Sequence, residues 1–169
     1  MATLPQLIEE DIQRFGVILQ ALLDHTEASA ALIIDKGGFL ITHLNSKDHD
    51  DQFDLTTIAA LASGAYLANQ TIANLVHETN FNSVYQQGEK YSIYATCAGE
   101  ETLLVVIFEA DHSVGVVKYF SEPAVEKIVV QLKAAQEREP GAGLDLSVLN
   151  IADTSGVFKK KREKAKRGS

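Results

Sequence analysis

Two short runs, Ala30-Ala31-Leu32-Ile33-Ile34 and Thr102-Leu103-Leu104-Val105-Val106-Ile107-Phe108, are apolar at nearly every position. Successive side chains of a strand point to opposite faces. A strand apolar at both parities therefore needs both faces covered. These runs are predicted as central strands, and any fold for the chain must bury them on two sides.

The remaining elements arrange themselves around these two. Leu7, Ile8, Ile12, Phe15, Leu19, Leu22 and Leu23 recur every three or four residues, which predicts an amphipathic helix of about five turns. Gly16 within it is a mild cost. Lys36-Gly37-Gly38 separates the first central strand from Phe39-Leu40-Ile41-Thr42 and reads as a hairpin turn. Asn45 to Gln52 is expected to be a polar loop. Asp54 is placed to cap a helix over Leu55–Val76. Ser83–Gln87, Tyr91–Cys97 and Thr102–Phe108 are three strands separated by turns at Gly88-Glu89-Lys90 and Gly99-Glu100-Glu101. After Asp111-His112-Ser113, residues Val117, Phe120, Ala124, Val125, Ile128, Val129 and Leu132 keep helical spacing. Pro123 is expected to kink that helix or to restart it after Ser121. The predicted order is α-β-β-α-β-β-β-α over residues 1–138. Residues 139–169 read as a linker with one apolar patch and a basic tail, disordered on its own.

The total length of 169 residues suits one domain with a real core. No eighteen-residue window is wholly apolar. Met1 to Glu10 has neither the basic region nor the apolar run of a secretory signal, and Cys97 is the only cysteine. A reducing cytoplasm is the expected location. Charge is divided unevenly. Residues 159–169 hold seven basic residues and one acid, a charge of +6, so against a total of −8 the remainder carries −14. A body that acidic repels nucleic acid and anionic membranes. Neither nucleic-acid binding nor membrane insertion is expected of it.

Signs of chemistry are few. No Gly-x-x-x-x-Gly-Lys-Ser/Thr loop is present, and Gly37-Gly38 lies between strands, where a phosphate loop would lead into a helix. None of His25, His43, His49, His77 and His112 lies four residues from another or pairs with Cys97 at metal-ligand spacing. Lys47-Asp48-His49-Asp50-Asp51 lacks the glycine turn and closing glutamate of a calcium loop and reads as solvated. Thr96, Ala98 and Gly99 offer nothing to activate Cys97, which reads as a small, mostly buried strand residue. Tyr85, Tyr91 and Tyr94 suggest base stacking less than packing, because the body is acidic. The expectation is a binding domain with no catalytic residue, metal or cofactor of its own.

Two features point to a partner. Ser83-Val84-Tyr85-Gln86-Gln87 is polar and, at a sheet edge, would have no lysine or proline to protect its backbone. Pairing with a second copy is favoured over cover by a loop or helix. The helix Leu55–Val76 has no charged side chain at all. One stripe, Ile58, Leu61, Ala65, Ile72 and Leu75, reads as its core face. The other, Ala59, Ala62, Ser63, Tyr66, Asn69, Gln70 and Ala73, is small and weakly polar and reads as a face for a partner or twin subunit.

The element order, Ala31-Leu32-Ile33-Ile34-Asp35-Lys36-Gly37-Gly38-Phe39-Leu40 and Gly99-Glu100-Glu101-Thr102-Leu103-Leu104-Val105-Val106-Ile107-Phe108 resemble the roadblock (dynein light chain) family. Leu55–Gly64 with Phe81, Gln87-Gly88-Glu89 and Tyr94 is similar to its bacterial MglB branch. The resemblance spans roughly residues 7–137. It implies a profilin/longin-like α+β sandwich with a five-stranded antiparallel sheet. It further implies a homodimer joined edge to edge through Ser83–Gln87, whose paired Leu55–Val76 helices form a platform for one small Ras-like GTPase per dimer and stimulate its GTP hydrolysis, in polarity or gliding motility. On that analogy the platform contacts are Ala59, Ala62, Ser63, Tyr66, Asn69, Gln70 and Ala73. The segment after the last helix can also touch the GTPase and affect exchange, which makes Lys159, Lys160, Lys161 and Arg162 candidate second contacts. Two alternatives stay open: a scaffold of the same fold that leaves turnover unchanged, and a tail-driven binder of membrane or nucleic acid.

Overall fold

The structure, a computed structural model, describes residues 4–49 and 52–138. Its elements are α1 (Glu9–Thr26), β1 (Ala30–Asp35), β2 (Leu40–Asn45), α2 (Leu55–Leu75), β3 (Ser83–Gln87), β4 (Tyr91–Cys97), β5 (Thr102–Glu109) and α3 (Val114–Glu137). This is the predicted order. The five strands make one antiparallel sheet in the order β2-β1-β5-β4-β3. The two doubly apolar runs, β1 and β5, lie side by side inside it, with Leu32 opposite Val105 and Ile33 opposite Leu104.

Side-chain parity builds the layers. Ala31, Ile33, Leu104, Val106 and Phe108 face one way and pack with Phe15 and Leu19 of α1 and Val117 and Ile128 of α3. Ala30, Leu32, Ile34, Leu103, Val105 and Ile107 face the other way and pack with Leu55, Ala59 and Tyr66 of α2. The sheet is thus held between two helices and one. Each large apolar side chain removed from water in this way contributes about 1.5–3 kcal/mol.

Local chemistry fixes the helix ends. The Ile8 backbone N–H donates to Asp11 Oδ2 at 2.8 Å at the start of α1. Asp11 is fully buried, and its other oxygen accepts from Gln131 Nε2 of α3 at 2.7 Å, which ties the two helices together. At α2, Asp54 accepts from the Thr57 backbone N–H at 3.1 Å and the Thr57 hydroxyl at 2.7 Å, as the sequence predicts for a cap. These bonds, the hydroxyl's first, hold its carboxyl below the usual range.

Three elements differ from expectation. β2 covers Leu40–Asn45, later than Phe39–Thr42, and Phe39 stays exposed in the hairpin. The expected polar loop contains a 3-10 turn at Lys47–His49. Most clearly, α3 runs unbroken through Pro123. Proline withholds an N–H from the carbonyl four residues back, at a cost of about 3 kcal/mol. Here Pro123 and Tyr119 both lie on the outer surface, where water can reach that carbonyl. Buried Val117, Ser121, Ala124 and Ile128 pin the helix on either side of the proline.

The β1–β2 hairpin leans on α2 through Gly38. Its φ is +93°, and a Cβ there would stand 3.0 Å from Ala60 Cα. Gly38→Ala should therefore destabilise the protein by about 1–2 kcal/mol from the backbone conformation alone, plus the displacement from α2. Chemical denaturation checks this. An unchanged midpoint would mean that the hairpin tolerates a side chain against α2.

Candidate functional site

A surface helix normally carries charge on its wet face. α2 carries none, and among residues 48–89 there is no lysine or arginine. The structure reverses the two faces expected from periodicity over most of the helix, although Ile58 of the expected core stripe packs against the core and Ala65 is half-buried. Ala59, Ser63, Tyr66 and Ala73 are buried and Ala62, Asn69 and Gln70 partly so. The small, weakly polar stripe is the one that lies on the sheet. The bulkier stripe faces outward, with Leu61 68 %, Ile72 48 % and Leu75 77 % exposed, and Leu67 and Val76 beside them.

The reason is hydrogen bonding and fit. Ala59 and Ala73 let the helix backbone come close to the strands. The polar atoms of the stripe find partners inside the fold. The Ser63 hydroxyl donates to the Lys36 carbonyl in the hairpin. The Tyr66 hydroxyl lies 2.6 Å from Cys97 Sγ on β4 and reaches the Phe81 carbonyl at 3.2 Å. Gln70 Nε2 donates to the same carbonyl at 3.0 Å, and Asn69 Nδ2 donates to the Ala65 carbonyl at 2.8 Å. Tyr66 and Gln70 thereby anchor the connection between α2 and β3. Cys97, half-buried, is a partner of Tyr66 in this network.

That connection sets the start of β3 beside the end of α2. β3 is an edge strand, paired only to β4, with Tyr85 opposite Tyr94 and Gln86 opposite Ile93. Val84 packs toward the α2 side of the sheet. Tyr85 stacks over Phe108 on the other side, with ring centroids 6.2 Å apart. Ser83 and Val84 are half-buried, and Tyr85, Gln86 and Gln87 are exposed. Tyr94 is buried in the core. The tyrosines thus pack within the sheet. Lys159, Lys160, Lys161 and Arg162 lie outside the described residues.

The candidate surface is therefore the outer stripe of α2, from Leu61 to Val76, together with the free edge of β3. It is uncharged, apolar on the helix and open to backbone pairing on the strand. Such a surface suits contact with protein. Among the described residues no helix is long and apolar enough to cross a membrane.

Comparison with known proteins agrees with this geometry. The Roadblock/LC7 domain family matches residues 14–108. Among solved structures, an MglB described as having a tetrameric arrangement shares 30% identity with a TM-score of 0.74, over 80% of this chain and 99% of that one. The gliding protein MglB of Thermus thermophilus shares 30% identity with a TM-score of 0.73, over 79% and 99%. Myxococcus xanthus MglB shares 25% identity with a TM-score of 0.70, over 80% and 99%. No curated protein sequence matches.

Proposed function

This chain belongs to the Roadblock/LC7 family, and on that premise we propose that it is a homodimeric regulator of a small Ras-like GTPase. The observation that carries the reading is the uncharged apolar stripe of α2 beside an unprotected β3 edge. Two copies join through Ser83–Gln87 into one continuous sheet. Their α2 helices, turned outward by Leu61, Ile72 and Leu75, form a shared platform that receives one GTPase. The roadblock domain occupies residues 1–138. The basic segment of 139–169 supplies a second contact through Lys159, Lys160, Lys161 and Arg162. The setting is the cytoplasm of a bacterial cell with polarity or motility. Support comes from similarity to three MglB structures that this chain covers almost end to end.

The reading carries a mechanistic constraint. Many activators insert an arginine that stabilises charge on the transferring phosphoryl group. The platform has no lysine or arginine to offer. Activation must then come from holding the GTPase's own switch loops and catalytic groups in the reactive arrangement. Replacing Arg14, Arg138, Arg162 or Arg167 singly by alanine should change stimulated hydrolysis less than about threefold. A loss of about a thousandfold, the scale of a missing arginine finger, with binding preserved would overturn this mechanism.

The function itself is tested by co-expressing the chain with a bacterial Ras-like GTPase. Purification should give two copies per GTPase, and hydrolysis should be faster than for the GTPase alone. A complex of that ratio with unaltered turnover would leave the scaffold reading. A monomer that binds no GTPase would overturn both.

A further inference from the structure

Away from that surface, the end of β5 and the turn into α3 gather Glu109, Asp111 and His112. Each offers one ligand atom, and all three atoms lie within 4.8 Å of one another. His112 Nε2 stands 4.0 Å from Glu109 Oε2 and 3.9 Å from Asp111 Oδ1. His49, from the 3-10 turn after β2, approaches the same glutamate from its other oxygen, with Nε2 3.7 Å from Oε1. None of these separations is short enough for a direct hydrogen bond. Three ligand atoms thus converge without closing on one another, and His49 stands beside them at the other oxygen of Glu109. Zinc bonds of about 2.0–2.2 Å to nitrogen and oxygen put tetrahedral neighbours roughly 3.4 Å apart. The His112–carboxylate spacings of 3.9 and 4.0 Å need to shorten by roughly half an ångström to reach that value, and His49 would have to move toward the group.

The surroundings favour a cation. The His49 ring has Ser46 Oγ 2.8 Å from Nδ1 and packs beside the Phe53–Tyr91 pair. That support at Nδ1 keeps Nε2 directed at the carboxylate, as outer partners do for metal-bound histidines. His49, Glu109 and His112 border an open cleft of about 530 Å³, with Lys47 and the acids Asp24, Glu27 and Asp48 also on its wall. Two buried atoms there, His112 Nδ1 and Asn45 Oδ1, have no hydrogen-bond partner. The net charge outside the tail is strongly negative. Nitrogen ligands select borderline transition ions over magnesium or calcium.

We propose that Glu109, Asp111 and His112, joined by a rotation of the neighbouring His49, bind one divalent transition ion of the zinc class. The ion would clip the β2–α2 connection to the β5–α3 turn, two segments far apart in sequence. The site is independent of the GTPase reading and is tested without a GTPase. Full-length protein stripped with a chelator is titrated with zinc chloride by calorimetry, and its melting is followed with and without zinc. One ion per chain should bind at micromolar or tighter affinity and raise the melting temperature. His112→Gln and Glu109→Gln should each weaken binding at least about tenfold, and His49→Gln should do the same. His43→Gln and His77→Gln should leave it unchanged. Melting of the metal-free variants separates lost ligation from lost folding, with isosteric Glu109→Gln as the gentlest change. No saturable binding, equal affinity in His112→Gln and the parent, or equally tight magnesium binding would overturn the site.

Discussion

Replacing Leu61 and Leu75 together by glutamate is expected to leave a folded monomer that no longer stimulates a GTPase. Both side chains stand largely in solvent, at 68 % and 77 % exposure. Their removal opens no cavity, so melting should move little. In a two-fold assembly each substitution occurs twice, and four carboxylates would meet on a surface that offers no cation in return. Desolvating unpaired charges costs several kcal/mol. The dimer dissociation constant should rise at least about a hundredfold, roughly 3 kcal/mol. Sedimentation over a concentration series measures the first effect and a hydrolysis assay the second. If the double variant stays dimeric and fully active, the outer stripe of α2 is neither interface nor platform.

Tyr66→Ala is expected to do the reverse and damage the fold itself. Tyr66 is 3 % exposed, packs against β4 and β5, and bonds to Cys97 and the Phe81 carbonyl. Truncating a buried aromatic costs about 3–5 kcal/mol. Tyr66→Phe keeps the ring and loses only the hydroxyl, for about 1 kcal/mol. Denaturant titration of both variants checks the order. Had the small stripe faced a partner, the alanine variant would keep its stability and lose only binding. The hydroxyl adds a pH signature. Burial first, then the bond to Cys97, pushes its pKa above the ordinary tyrosine value. The fold thus favours the neutral phenol. Its contribution is whole below the unfolded-state value of about 10 and is lost as pH rises beyond it. Tyr66→Phe should flatten that part of the alkaline stability curve.

The frame of the molecule was legible because it rests on local signals. Double-parity apolar runs forced β1 and β5 to the centre of the sheet. Glycine-bearing turns at 37–38, 88 and 99 spaced the strands, and Asp54 marked the start of α2 where its side chain caps Thr57. The face of α2 was not legible in this way. Leu61, Ile72 and Leu75 are the more apolar stripe by any transfer scale, so periodicity alone assigns them to the core. Pro123 misled for a related reason, since its cost is local and the packing of α3 that outweighs it is not.

The proposed cation site shows the same divide in its fourth member. Glu109, Asp111 and His112 fall within one four-residue stretch, whereas His49 reaches Glu109 only because β2 and β5 both flank β1. By itself the sequence determined what must be buried twice, where the chain turns, and which surfaces lack charge. Only the tertiary structure decided which side of α2 meets the sheet. The close backbone approach allowed by Ala59 and Ala73, and hydrogen-bond partners for Ser63, Tyr66 and Gln70 on other elements, outweigh the burial of three larger side chains. Those partners are set by three-dimensional neighbours that no window of sequence contains.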